Sequence, residues 1–77
     1  MRAKMEVTNV EKFDNAERVS FRAVAKSGAY PEDGTDEDNT FAKFTPDGEA
    51  HLLIMNPALL GKFEGGQRYY VDFSPVE

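Results

Sequence analysis

Between Arg18 and Lys26 apolar residues recur at every second position, Val19, Phe21, Ala23 and Ala25, set against Arg18, Ser20, Arg22 and Lys26. A period of two places successive side chains on opposite faces of an extended chain, so this stretch predicts a strand. The remaining apolar runs are equally short and are cut by turn residues, and none is long enough for a coiled coil. The chain reads as all-β, built of short strands.

Met5, Val7 and Val10 predict a strand over Lys4 to Glu11 with one slip of phase near Asn9. Asp14-Asn15-Ala16-Glu17 is turn chemistry, because Asp and Asn bond their own backbone, and it predicts a hairpin into the Val19 strand. Residues 27–38 form a long connection with Gly28, Pro31 and Gly34. Phe41 to Thr45 is a further β-prone stretch, and Thr45-Pro46-Asp47-Gly48 suits a type I turn. A second hairpin is expected across that turn, into a nearly continuous apolar run from Ala50 to Met55. Such a run predicts a strand buried on both faces.

Asn56-Pro57-Ala58-Leu59-Leu60-Gly61 carries a helix start and stop, with Asn as cap, Pro at the first position and Gly at the end. Only a short plug helix fits. After Gly65-Gly66, the last strand runs from Gln67 to Ser74, with Tyr69, Val71 and Phe73 on one face and Arg68, Tyr70 and Asp72 on the other. Five short strands with one helical turn before the last predict a small SH3-like barrel, or a two-layer sandwich if an oligomer buries one sheet face. An OB-fold would place its helix between the third and fourth strands. Residues 1–77 are expected to form a single small β domain with an acidic loop at 27–38.

A chain of 77 residues buries little of its surface, and with no cysteine it has no disulfide staple and no thiolate zinc site. That shortage argues for a partner. The net charge of −5 belongs to one segment: Glu32, Asp33, Asp36, Glu37 and Asp38 are five of fourteen acids, and the nine others balance nine Lys and Arg. A basic face able to track a phosphate backbone is missing, which counts against duplex nucleic acid. No hydrophobic leader and no membrane-spanning run is seen, so a cytoplasmic location is expected.

Enzyme motifs are lacking: there is no Cys nucleophile, no Gly-x-Ser-x-Gly and no phosphate-binding Gly loop. His51, the only histidine, lies in the most apolar strand and reads as a sheet residue. The acidic loop offers oxygens but lacks the glycine placement of a calcium loop, so it reads as solvated, and neither metal nor cofactor is expected. The residues that suit a ligand are Tyr30 and Tyr70, with Arg22, Lys26 and Arg68 near them in the pattern. A tyrosine ring stacks on a base while a cation pairs with phosphate or carboxylate. In a second reading Glu32, Asp33, Asp36, Glu37 and Asp38 dock on a basic protein. A third is a barrel that binds single-stranded nucleic acid.

The strings Phe44-Thr45-Pro46-Asp47-Gly48, Asn56-Pro57-Ala58-Leu59-Leu60-Gly61-Lys62-Phe63 and Gly66-Gln67-Arg68-Tyr69-Tyr70-Val71-Asp72-Phe73-Ser74-Pro75 resemble a group of small uncharacterised bacteriophage and prophage proteins. Its members end in comparable Phe-x-x-Gly-x-x-Tyr-Tyr-Val-Asp-Phe strings. The resemblance implies a non-enzymatic phage accessory protein, used in host takeover or against host defence. Such a protein would act in the host cytoplasm by binding, as a homo-oligomer that sequesters a small nucleotide signal or as a module that docks on a host protein.

Overall fold

A computed structural model describes residues 1–77. Four strands, β1 (Arg2–Lys12), β2 (Glu17–Ala23), β3 (Glu49–Ile54) and β4 (Arg68–Asp72), form one antiparallel sheet in the order β3-β2-β1-β4. A single 3-10 turn, Pro57–Leu59, lies between β3 and β4.

The β1–β2 hairpin forms as the alternation predicts. Val7 pairs with Phe21 but Asn9 with Ser20, so the register slips by one residue. Val7 and Val10, three positions apart, would otherwise face opposite ways; the bulge at Thr8 returns Val10 to the core side. Ala3, Met5, Val7, Val19, Phe21 and Ile54 make the buried cluster, all on one face of the sheet. Leu60 and Phe63, from the connection into β4, pack over it, and the Phe63 ring meets Phe21 edge-on at 5.9 Å. Glu17 ties that cover to β2: its Oε1 accepts the Gly61 N–H at 2.8 Å, while its buried Oε2 has no partner.

β4 has the two faces expected of it. Tyr69 and Val71 pair with Met5 and Ala3 on the core side, leaving Arg68, Tyr70 and Asp72 opposite. The plug helix is reduced to its first turn, with Asn56 accepting the Ala58 N–H at 3.0 Å and Gly61 at φ +78° turning the chain away.

Four expectations are overturned. Phe41 to Thr45 is not a strand, for Phe44 has a positive φ of 57° and an isolated Thr35–Lys43 bridge is all the pairing there. The second hairpin across Pro46–Gly48 therefore does not form, and β3 pairs with β2 instead, Val19 against Leu52 and Phe21 against Ala50. β3 is not buried on both faces either: it is the outermost strand, and Ile54 alone of its six residues is buried. With four strands and two free edges the sheet does not close, which overturns the SH3-like barrel and the sandwich. The protein is a small all-β domain made of one open sheet.

Its shape records the missing second layer. The molecule measures 48 × 33 × 16 Å and its radius of gyration is 14.3 Å, against about 11.5 Å for a compact chain of this length. It exposes 5664 Å², whereas a compact monomer of 8.6 kDa exposes about 4,700 Å².

Candidate functional site

Glycine and proline punctuation makes residues 24–48 a loop, and a buried Asp–Asn pair organises it. Asp36 and Asn39 are 2% and 0% exposed. Beyond Ala23 the Val24 N–H still bonds the Lys4 carbonyl at 2.9 Å, and the Asn39 side-chain amide inserts into the other half of that pair. Its Oδ1 accepts the Lys4 N–H at 2.9 Å and its Nδ2 donates to the Val24 carbonyl at 2.8 Å. Thr40 continues the pairing, its N–H bonded to the Arg2 carbonyl at 2.9 Å.

Asp36 holds this amide in place. One carboxylate oxygen accepts the Asp38 and Asn39 N–H groups at 3.0 and 3.1 Å. The other accepts Asn39 Nδ2 at 3.1 Å, with the Lys26 N–H and the Tyr30 hydroxyl each at 3.3 Å. Burial opposes its charge, but the donors, Asn39 foremost, outweigh burial and hold the carboxyl below its ordinary pKa.

The acidic segment and the expected ligand residues thus meet each other. Tyr70 donates to Asp38 at 2.8 Å, and Lys4 lies 3.4 Å from the same carboxylate. Lys26 pairs with Glu37 at 3.1 Å and Arg68 with Glu6 at 3.0 Å. Desolvation and then Asp36 raise the Tyr30 pKa; the bond to Asp38 and then desolvation raise that of Tyr70. Arg22 alone of the five has neither an ion pair nor a side-chain hydrogen bond. The five do not line one cavity: Tyr30 packs on Phe44 at 5.8 Å, while the Tyr70 ring lies under the Arg2 guanidinium at 4.5 Å. Of the five acids, Glu32, Asp33 and Glu37 face solvent, Asp38 is half-buried and Asp36 is inside. No cluster of three or more His, Asp and Glu could hold a metal ion.

A different surface lies on the polar face of β2 and β3. A hollow of about 260 Å³ opens among Thr8, Ser20, Arg22, Glu49 and His51. It adjoins a more apolar one of about 490 Å³ between Phe13, Ala16, Arg18, Leu53 and the same His51. This surface ends at the open edge of β3. The Ala23 N–H bonds the Gly48 carbonyl at 2.9 Å, and antiparallel alternation from that pair turns the backbone groups of Ala50, Leu52 and Ile54 toward β2. Those of Glu49, His51 and Leu53 point outward. No loop residue and no side chain bonds them. Beside them Leu52 is 54% and Leu53 57% exposed, one on each face.

Arg18, Leu53 and Phe13 were not singled out from the sequence, and His51 was read there only as a sheet residue. The signal was there: adjacent Leu52 and Leu53 put an apolar side chain on each face of one strand. A central strand and an uncovered edge read alike at that level. No protein-family model matches the chain, and comparisons with curated proteins and with solved structures likewise find no match. No helix is long and apolar enough to cross a membrane.

Proposed function

We propose that the chain is a non-enzymatic binding protein whose partner is a protein chain, met by strand addition at β3. The state of that edge carries the reading. Its outward N–H and carbonyl groups lack partners, and half-exposed Leu52 and Leu53 flank them on both faces. Strand addition uses this combination, in which main-chain bonds supply affinity and alternate side chains supply selectivity. The hollows beside Arg18, Arg22 and His51 would take side chains of the added strand.

A nucleotide held by Arg22, Lys26, Tyr30, Arg68 and Tyr70 is less favoured. Its phosphate would have to displace Asp36, Glu37 and Asp38 from donors they already occupy. Docking of the acidic loop on a basic protein has Glu32, Asp33 and Glu37 to work with, because Asp36 cannot reach a partner unless the loop opens.

Selection from a random dodecapeptide display library tests the reading. Enriched peptides should shift the amide resonances of Glu49, His51 and Leu53 and lose binding to Leu53→Pro, whose missing N–H points to solvent in the free chain. Peptides that instead shift Glu32 and Asp33, or an absence of enriched peptides for the chain in its monomeric state, would contradict it.

A further inference from the structure

We infer that the chain which fits β3 is a second copy of this protein, paired antiparallel through β3 about a two-fold axis at Leu52. The inference rests on the reading of β3 as the contact edge, and three observations support it.

The first is area. The chain exposes about 1,000 Å² more than a compact monomer of its mass, and one partner's share of a standard interface is about 800 Å². At 16 Å in its thinnest dimension the chain has one sheet and no second layer over it.

The second is register. Opposed residues of an antiparallel pair share a face, so a self-pairing β3 must centre on a residue. Centred at Leu52, it sets Glu49 opposite the partner's Met55, Ala50 opposite the partner's Ile54 and His51 opposite the partner's Leu53. The whole of Glu49–Ile54 is then paired, and the outward groups of Glu49, His51 and Leu53 all find acceptors and donors. Centring at His51 sets Ile54 and Met55 opposite the partner's Gly48 and the partner's Asp47, outside β3. Centring at Leu53 brings Glu49 against the partner's Pro57, which has no N–H to give.

The third is charge. Glu49 is the only ionised residue between Gly48 and Asn56, and in this register it meets methionine rather than its own copy. Asp38 bonds Lys4 of β1 and Tyr70 of β4, and Glu37 pairs with Lys26, so none of the acidic loop's carboxylates is bonded to β3. Pairing also makes one surface of two. The hollows that share His51 meet their copies across the axis, with Arg18 and Arg22 of each chain on either side.

The chain has no cysteine, so one introduced thiol reports the register without interference. Leu52 opposes itself as a non-hydrogen-bonded pair with Cα atoms about 4.5 Å apart, within the roughly 4.4–6.8 Å a disulfide spans. Leu53 meets its copy only on the diagonal, at about 7–8 Å. Both positions are similarly exposed, so chance encounters would bridge them equally. Light scattering on the whole chain should give twice its 8.6 kDa, and mild oxidation should bridge Leu52→Cys and not Leu53→Cys. Leu53→Lys should return the mass to one chain while its amide spectrum stays dispersed. Equal bridging at both positions would overturn the inference. So would the mass of one chain at every concentration. If display peptides still reach β3 in that case, the second copy alone is wrong; if none do, strand addition fails with it.

Discussion

β3 and β4 are the two edges of one sheet, and they are finished in different ways. β4 is guarded: Arg68 pairs with Glu6, Asp72 with Arg2 at 2.7 Å, and Tyr70 is bonded to Asp38 under the Arg2 guanidinium. Pro75 stands three residues beyond it, as Pro57 does beyond β3, so the two edges differ in charge and not in proline. Charge at an edge is a usual means by which a sheet discourages further pairing. β3 has no ion pair and no side-chain hydrogen bond, and between Ala50 and Met55 it bears no carboxylate, lysine or arginine. Two edges of similar length in one small sheet therefore differ in what they invite. The difference is the reason the proposed contact is placed at β3.

The guarded side depends on buried polar groups, so the largest effect is expected there. Asn39→Ala leaves the Lys4 N–H and the Val24 carbonyl unpaired, at about 1–3 kcal/mol each, a loss readable as a lower urea midpoint. Next comes Gly34→Ala. Gly34 has φ +73° and a Cβ there would lie 2.5 Å from the Phe44 ring, so left-handed strain of about 1–2 kcal/mol is joined by a clash. The same measurement checks it, with Gly28→Ala, which meets no atom within 4 Å, as the comparison.

Acid should separate the two sides without mutation. Asp36 is held below its ordinary pKa despite burial, Asp33 by bonds from Thr35, and Asp72 by the bond from Arg2. A carboxyl lowered in the folded state stabilises the fold above the ordinary value of 3.8, and that stability is lost as pH falls through the lowered value. Amide signals of Lys4, Asn39 and Thr40 should therefore weaken below that pH before those of Phe21 and Val19. Simultaneous loss would show that the loop does not carry its own acid sensitivity.

The smallest effect on stability is expected at β3. Leu53→Lys alters a half-exposed side chain and should change the unfolding free energy of the single chain by less than about 0.5 kcal/mol, measured in urea at high dilution. A large loss would mean that Leu53 is part of the core.

How much of this was legible in the sequence follows from the range of the forces involved. The β1–β2 hairpin, the slip near Asn9 and the two faces of β4 were readable because period and turn chemistry are local. The left-handed Gly61 was readable for the same reason. The pairing of β3 was not, since Ala50 to Met55 is compatible with a hairpin partner at Phe41–Thr45 and with β2, and packing against Val19 and Phe21 decides. The acidic loop misled for another reason. Counting charges treats Asp36 as one of five alike, while in the fold it accepts five donors and is buried with Asn39. Nothing in the pattern of Glu32 to Asp38 marks which carboxylate turns inward. Tyr30, Tyr70 and Lys26, read from the sequence as ligand residues, are bonded within the chain to Asp36, Asp38 and Glu37.

Amide hydrogen exchange across a dilution series tests the contrast between the edges most directly. His51 and Leu53 on β3, and Arg68 and Tyr70 on β4, all point their N–H groups out of the sheet. The account predicts protection at His51 and Leu53 that grows with protein concentration, while Arg68 and Tyr70 stay unprotected throughout. Protection that appears at β4 instead, or no concentration dependence at His51 and Leu53, would contradict it.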